Sequence, residues 1–164
     1  MEAGWDGRTT RISYAKYPAL PGVLVNLLET GQQRSAADGG SGDGDGDDGV
    51  LLGSQSTAES VFPALDIVRR AGPPEAARDR LYDAIAWYLG SRIWHVRELA
   101  ARTLCSFLLR RGWAAQAAAL LVANANANGS SPRGSANRLH GALLTLKFLL
   151  ERLRDVMPEL LFGK

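Results

Sequence analysis

Ser91-Arg92-Ile93-Trp94-His95-Val96-Arg97-Glu98-Leu99-Ala100-Ala101-Arg102 decides how this chain folds. Ile93, Val96, Ala100, Leu104 and Phe107 recur at helical spacing, and Trp94, Leu99 and Leu108 widen the apolar surface. A helix with so broad an apolar surface needs other helices on more than one side. His95, Glu98 and Arg102 occupy the remaining face. Glu98 precedes Arg102 by four residues, the favourable order for an ion pair. The stretch predicts a stacked-helix scaffold with a small polar seam.

The flanking sequence continues the pattern. Pro18 and Pro21 introduce the run Val23-Leu24-Val25-Asn26-Leu27-Leu28, as proline is tolerated in a first helical turn. Gly31 is expected to end that helix. Ser60 is expected to cap a second helix, with Pro63 in its first turn and Val61, Leu65 and Val68 facing inward. Gly72-Pro73-Pro74 makes a turn into a third helix with Ala77, Leu81, Ala84, Ile85, Tyr88 and Leu89 along one stripe, closed by Gly90. The opening stretch is the fourth helix, and Trp113 to Ala127 an alanine-rich fifth. The sixth runs from Ser135 to Val156. In it, Leu139, Leu143, Leu146, Leu150, Leu153 and Met157 alternate four and three apart, with Ala142, Leu149 and Val156 beside them; the spacing allows a coiled coil, but so broad a stripe is expected to pack on neighbouring helices instead. Gly141 has no side chain and admits close approach of another helix.

Residues 1–13 are expected to be a flexible N-terminus and 158–164 a C-terminal tail. The helical segment, 14–157, is interrupted at 32–53 by a tract rich in glycine and aspartate, expected to be a disordered insertion. Asp43, Asp45 and Asp47 are spaced like the start of an EF-hand. However, Asp48 stands where that loop needs glycine and Ser54 where it needs glutamate, so no metal site is expected.

Net charge is +2, yet Asp38, Asp43, Asp45, Asp47 and Asp48 lie together in or beside that tract. The rest of the chain carries 19 basic against 12 acidic groups, and 16 of the bases are arginine. Arginine surplus fits phosphate or carboxylate contact, and it fits compositional bias equally. No apolar run reaches the length of a membrane span, and Met1 to Arg11 has no signal-peptide core, so a cytoplasmic protein is expected. Cys105 is the lone cysteine, on an apolar helix where a buried, inert thiol is expected.

Phosphate-binding loops, metal-ligand spacings and nucleophile elbows are missing from the sequence, so the chain is expected not to be an enzyme and to hold no cofactor. A hydrolase pairing Cys105 with His95 or His140 is the catalytic alternative. The candidate site is the polar set Trp94, His95, Arg97, Glu98, Arg102, Asn137, Arg138 and His140. These residues serve either as ties between helices or as a docking surface for a protein or RNA. As a docking surface, Trp94 anchors the packing, Arg97, Arg102 and Arg138 contact the partner, and Glu98 orients Arg102.

Trp94-His95-Val96-Arg97-Glu98-Leu99-Ala100-Ala101-Arg102-Thr103-Leu104 and Asn137-Arg138-Leu139-His140-Gly141-Ala142-Leu143-Leu144 together resemble the THADA family. Tyr17-Pro18-Ala19-Leu20 and Val61-Phe62-Pro63-Ala64-Leu65 resemble its segments in the same order. The family comprises thyroid-adenoma-associated proteins and fungal regulators of tRNA ribose 2′-O-methylation. The resemblance implies an all-α, armadillo/HEAT-like α-solenoid segment. It implies a non-catalytic role: binding a partner methyltransferase that modifies residue 32 of the tRNA anticodon loop, with tRNA as a further partner. The partner, rather than the scaffold, holds S-adenosylmethionine. The family's Arg-Arg-Ser-Ala-Gly-Leu-Pro motif is absent here, so the chain is expected to be one segment of a longer solenoid. The alternatives are a module that binds RNA directly and a truncated fragment without independent function.

Overall fold

The computed structural model describes residues 14–38, 60–109, 112–126, 132–156 and 158. Every regular element among them is helical. After a short helical turn at 14–16, the α-helices are α1 (Leu20–Asp38), α2 (60–71), α3 (Arg78–Trp87), α4 (Trp94–Leu108), α5 (Trp113–Ala125) and α6 (Pro132–Val156). Single 3-10 turns at Glu75–Ala77 and Tyr88–Gly90 flank α3. The expected ends at 1–13 and 159–164, and residues 39–53 of the expected insertion, lie outside the described residues.

The short connections fold α3 back against α4 and α5 back against α6. Arg78 Nη2 donates to the Phe107 carbonyl at 2.7 Å, and the Tyr82 and Phe107 rings meet edge to face. Contacts between α4 and α6 advance along both helices together: Arg97 meets His140, and Cys105 meets Thr145. The two helices therefore run parallel. On the other side of α4, the Thr103 hydroxyl donates to the Leu65 carbonyl of α2 at 3.2 Å. Helices α2, α4 and α6 thus form one layer, with α1 and α3 packed in a second. The core is continuous through this stack, from Leu24 and Leu28 through Leu65, Ile85 and Leu104 to Leu149 and Leu153. This is the architecture of helical repeats, in which each hairpin buries its apolar face on the next.

Two glycines sit at positive φ, Gly72 and Gly112, both +80°. They end α2 and precede α5, where a side chain would be strained. Two others mark close helix contacts. A Cβ on Gly31 would lie 2.7 Å from a Val61 methyl and against the Tyr88 hydroxyl. Gly31 therefore does not stop the first helix, contrary to expectation. It lies inside α1, which continues to Asp38, and Gln32 ties the next turn to the Ala84 carbonyl at 2.9 Å. The insertion expected from residue 32 therefore leaves 32–38 in regular helix. A Cβ on Gly141 would lie 2.8 Å from Leu89 Cβ and 2.9 Å from Leu89 Cα, the close approach expected there.

The leucine stripe of α6 is the main departure in packing. Ala142, Thr145, Leu149 and Leu153 face the core, while Leu139, Leu143 and Leu150 are exposed, Leu143 at 49%. The buried face is rotated about a third of a turn from the leucine stripe. Small side chains decide the orientation: Gly141, Ala142 and Thr145 let α6 approach α4 and the 3-10 turn closely, and larger residues there would hold it off. Val122 of α5 is exposed too, and Val23 and Leu27 of α1 are exposed at the other end of the stack.

Candidate functional site

Arg97 is the most heavily buried charge in the described chain, at 9% exposure. It lies one turn into α4, just after the 3-10 turn that carries Ser91 past α6. Its Nη1 donates to the Ser91 carbonyl at 2.6 Å, and its Nε donates to His140 Nδ1 at 3.0 Å. Burial pushes the guanidinium below its usual pKa, although an arginine stays protonated in a protein. His140 Nδ1 is thus the acceptor of this tie between α4 and α6. Arg97 also lies 5.5 Å from the centroid of the Trp94 ring, and the Trp94 and His140 rings are 5.2 Å apart.

Trp94 itself is 44% exposed. It is not the packing anchor expected from the sequence, because it opens α4 at the surface, where Arg97 and His140 lie beside its ring. Ser91 Oγ accepts from the Ile93 amide at 3.2 Å and fixes the chain as it enters the helix. Arg138 lies along Gly90, whose missing side chain leaves room for it: a Cβ there would be 2.8 Å from Arg138 Cγ. The structure thus brings Trp94, Arg97, Arg138 and His140 together where the start of α4 meets α6 about two turns in.

Glu98 and Arg102 form a second neighbourhood. Arg102 Nη2 lies 2.9 Å from Glu98 Oε1, and its guanidinium sits 4.0 Å above the Phe148 ring. The Arg102 side chain borders a groove shared with Arg69 and Arg152. His95 is exposed and Asn137 half-buried. The sequence pattern did not point to Ser91, Arg69, Phe148 or Arg152. Phe148 and Arg152 are four apart on α6, which is the spacing that puts them on one face.

The arrangement supplies no assembled nucleophile. Cys105 Sγ is directed at the Ala101 and Thr145 carbonyls, at 3.3 and 3.4 Å, while His140 is engaged by Arg97. Burial pushes the Cys105 thiol up to about 12, so the thiolate is disfavoured. No group of three metal-ligating side chains occurs among the described residues, and no described helix is long and apolar enough to cross a membrane.

The comparisons agree with the architecture. Residues 2–149 match the family described as Trm732, C-terminal TPR repeats. No curated protein and no solved structure matches the chain. The match carries both α4 and α6 up to Leu149, and with them all eight residues of the candidate set. This chain therefore belongs to the family of Trm732 C-terminal TPR repeats, a helical-repeat family linked to tRNA modification.

Proposed function

We propose that the chain is a non-catalytic, cytoplasmic scaffold segment that supports tRNA 2′-O-ribose methylation at anticodon-loop position 32 by binding a partner methyltransferase. The single observation behind this reading is the exposed Trp94 on a rigid base. A tryptophan 44% in water is normally mobile, whereas here Arg97 and His140 hold its ring from α4 and α6 at once. Tryptophan and arginine dominate the binding energy of protein interfaces, and a preformed anchor lowers the ordering cost of association. Arg97 supports this surface from beneath; Trp94, His95 and Arg138 form its outer face.

The test is binding of the full chain to an S-adenosylmethionine-dependent 2′-O-methyltransferase from the same cell, measured by calorimetry with and without Trp94→Ala. A central tryptophan is worth about 2 kcal/mol or more, so affinity falls about thirtyfold while helicity is retained. Unchanged affinity in Trp94→Ala refutes the assignment. Tight tRNA binding by the chain alone, weakening steeply with salt, favours the direct RNA-binding alternative instead.

A further inference from the structure

An open groove of about 310 Å³ lies between the C-terminal halves of α4 and α6, beside the end of α2. It is about 16 Å along α4 from Trp94, counting 1.5 Å per residue. Its size is at the lower end for ligand-binding pockets, enough for one or two side chains.

Three arginines border it, in different states. Arg69 is held by Asp66 at 2.7 Å. Arg102 is held by Glu98 and lies flat on Phe148. Arg152 is half-buried, and among the described residues it has neither an ion pair nor a hydrogen bond. Its planar fork is thus presented to the groove with donors to spare. Leu109, half-buried, also lines the groove, with the buried Cys105 beneath it.

We propose that this groove binds a short segment of a protein partner in which an acidic side chain adjoins an apolar one. The carboxylate meets Arg152, and the apolar group lies against Leu109. This goes beyond the methyltransferase reading and does not depend on it, since Trp94 takes no part.

RNA is the less suitable occupant. Single-stranded RNA needs an open aromatic face and a continuous cationic track. Arg102 already covers Phe148 at 4.0 Å, and Glu151 and Asp155 stand in the lining where successive phosphates would pass. A single carboxylate needs neither an open ring nor a continuous track, only the Arg152 fork, while Glu151 and Asp155 have cations of their own in Lys147 at 4.0 Å and Arg154 at 2.8 Å.

The test is a titration of the full chain followed by amide chemical shifts. The probes are a hexapeptide with aspartate beside leucine in a glycine–serine background, the same peptide with lysine for aspartate, and hexauridylate. The aspartate–leucine peptide is expected to give saturable shifts in the C-terminal halves of α4 and α6. Loss of the charge-assisted contact in Arg152→Ala or Arg152→Gln weakens it about tenfold, with helicity unchanged. The lysine peptide is expected to bind at least that much more weakly. The proposal is overturned by absence of saturable shifts with the acidic peptide, by equal binding of the lysine peptide, by indifference to both Arg152 variants, or by hexauridylate binding the groove more tightly.

Discussion

Replacing Gly141 by alanine tests the contact that locks α6 against the turn before α4. In an open helix interior, glycine to alanine is favourable by about 0.8–1.0 kcal/mol. At position 141 the new methyl would lie 2.8 Å from Leu89 Cβ and 2.9 Å from Leu89 Cα. Carbon atoms rest about 3.5–4.0 Å apart, so Leu89 has to retreat by roughly 0.7 Å. Leu89 is fully buried, and two of the three atoms in the way, its carbonyl oxygen and its Cα, are backbone, so no side-chain rotation relieves the overlap. Such overpacking costs about 1–3 kcal/mol, which outweighs the helical gain and leaves Gly141→Ala about 1 kcal/mol less stable. Gly22 provides the control, because nothing lies within 4 Å of a Cβ there and it also sits in a helix. Gly22→Ala is expected to gain about 0.5 kcal/mol. Urea unfolding followed by helical circular dichroism measures both, with equal slopes required. If Gly141→Ala gains stability alongside Gly22→Ala, helix α6 does not seat on Leu89 and the close contact between them is refuted.

Arg97→Met removes two hydrogen bonds and strands the Ser91 carbonyl and His140 Nδ1, so a loss of about 2 kcal/mol is expected in the same unfolding assay. Arg97→Lys restores at most part of it, because a lysine cannot serve both acceptors with one planar fork; full rescue refutes the two-point tie. Native Cys105 is expected to resist Ellman's reagent at pH 8 and to react once urea unfolds the chain, and immediate labelling of the native protein contradicts its burial. Folding holds the Cys105 proton from its ordinary value of 9.0 up to about 12 and the Tyr14 proton from 10.0 up to about 12, with Tyr88 raised also, all by burial. The folded chain therefore keeps protons that the unfolded chain releases, so stability is intact below about pH 9 and falls as pH rises toward 12; an alkaline titration of the urea midpoint that stays flat refutes this. Gly31→Ala is expected to destabilise through the Tyr88 hydroxyl and Val61, and Tyr88→Phe in the same chain to recover part of the loss.

Features set by one helix were legible in the sequence. Val96, Ala100, Leu104 and Phe107 repeat so regularly that the buried face of α4 follows from spacing alone. Gly141 was legible because a glycine inside an apolar helix has few other uses. Gly31 was not, because a capping glycine and a packing glycine look alike until Tyr88, 57 positions on, arrives beside it. The α6 stripe was legible in part: Leu153 and the flanking Ala142 and Leu149 are buried, whereas Leu139, Leu143 and Leu150 face out because close packing selected the side that carries Gly141, Ala142 and Thr145. Within the polar set, Glu98 and Arg102 pair four residues apart and were readable. The burial of Arg97 depends on His140, 43 residues away, and the groove at Arg152 depends on three helices. Neither can be resolved from local pattern.

The outward leucines of α6 have a physical consequence for the chain in solution. Water around Leu139, Leu143, Leu150 and Val122 is released whenever another surface covers them. Strongly hydrated salts such as sulfate favour that release, and cooling disfavours it. Any association that covered these side chains would therefore strengthen with added sulfate and weaken in the cold.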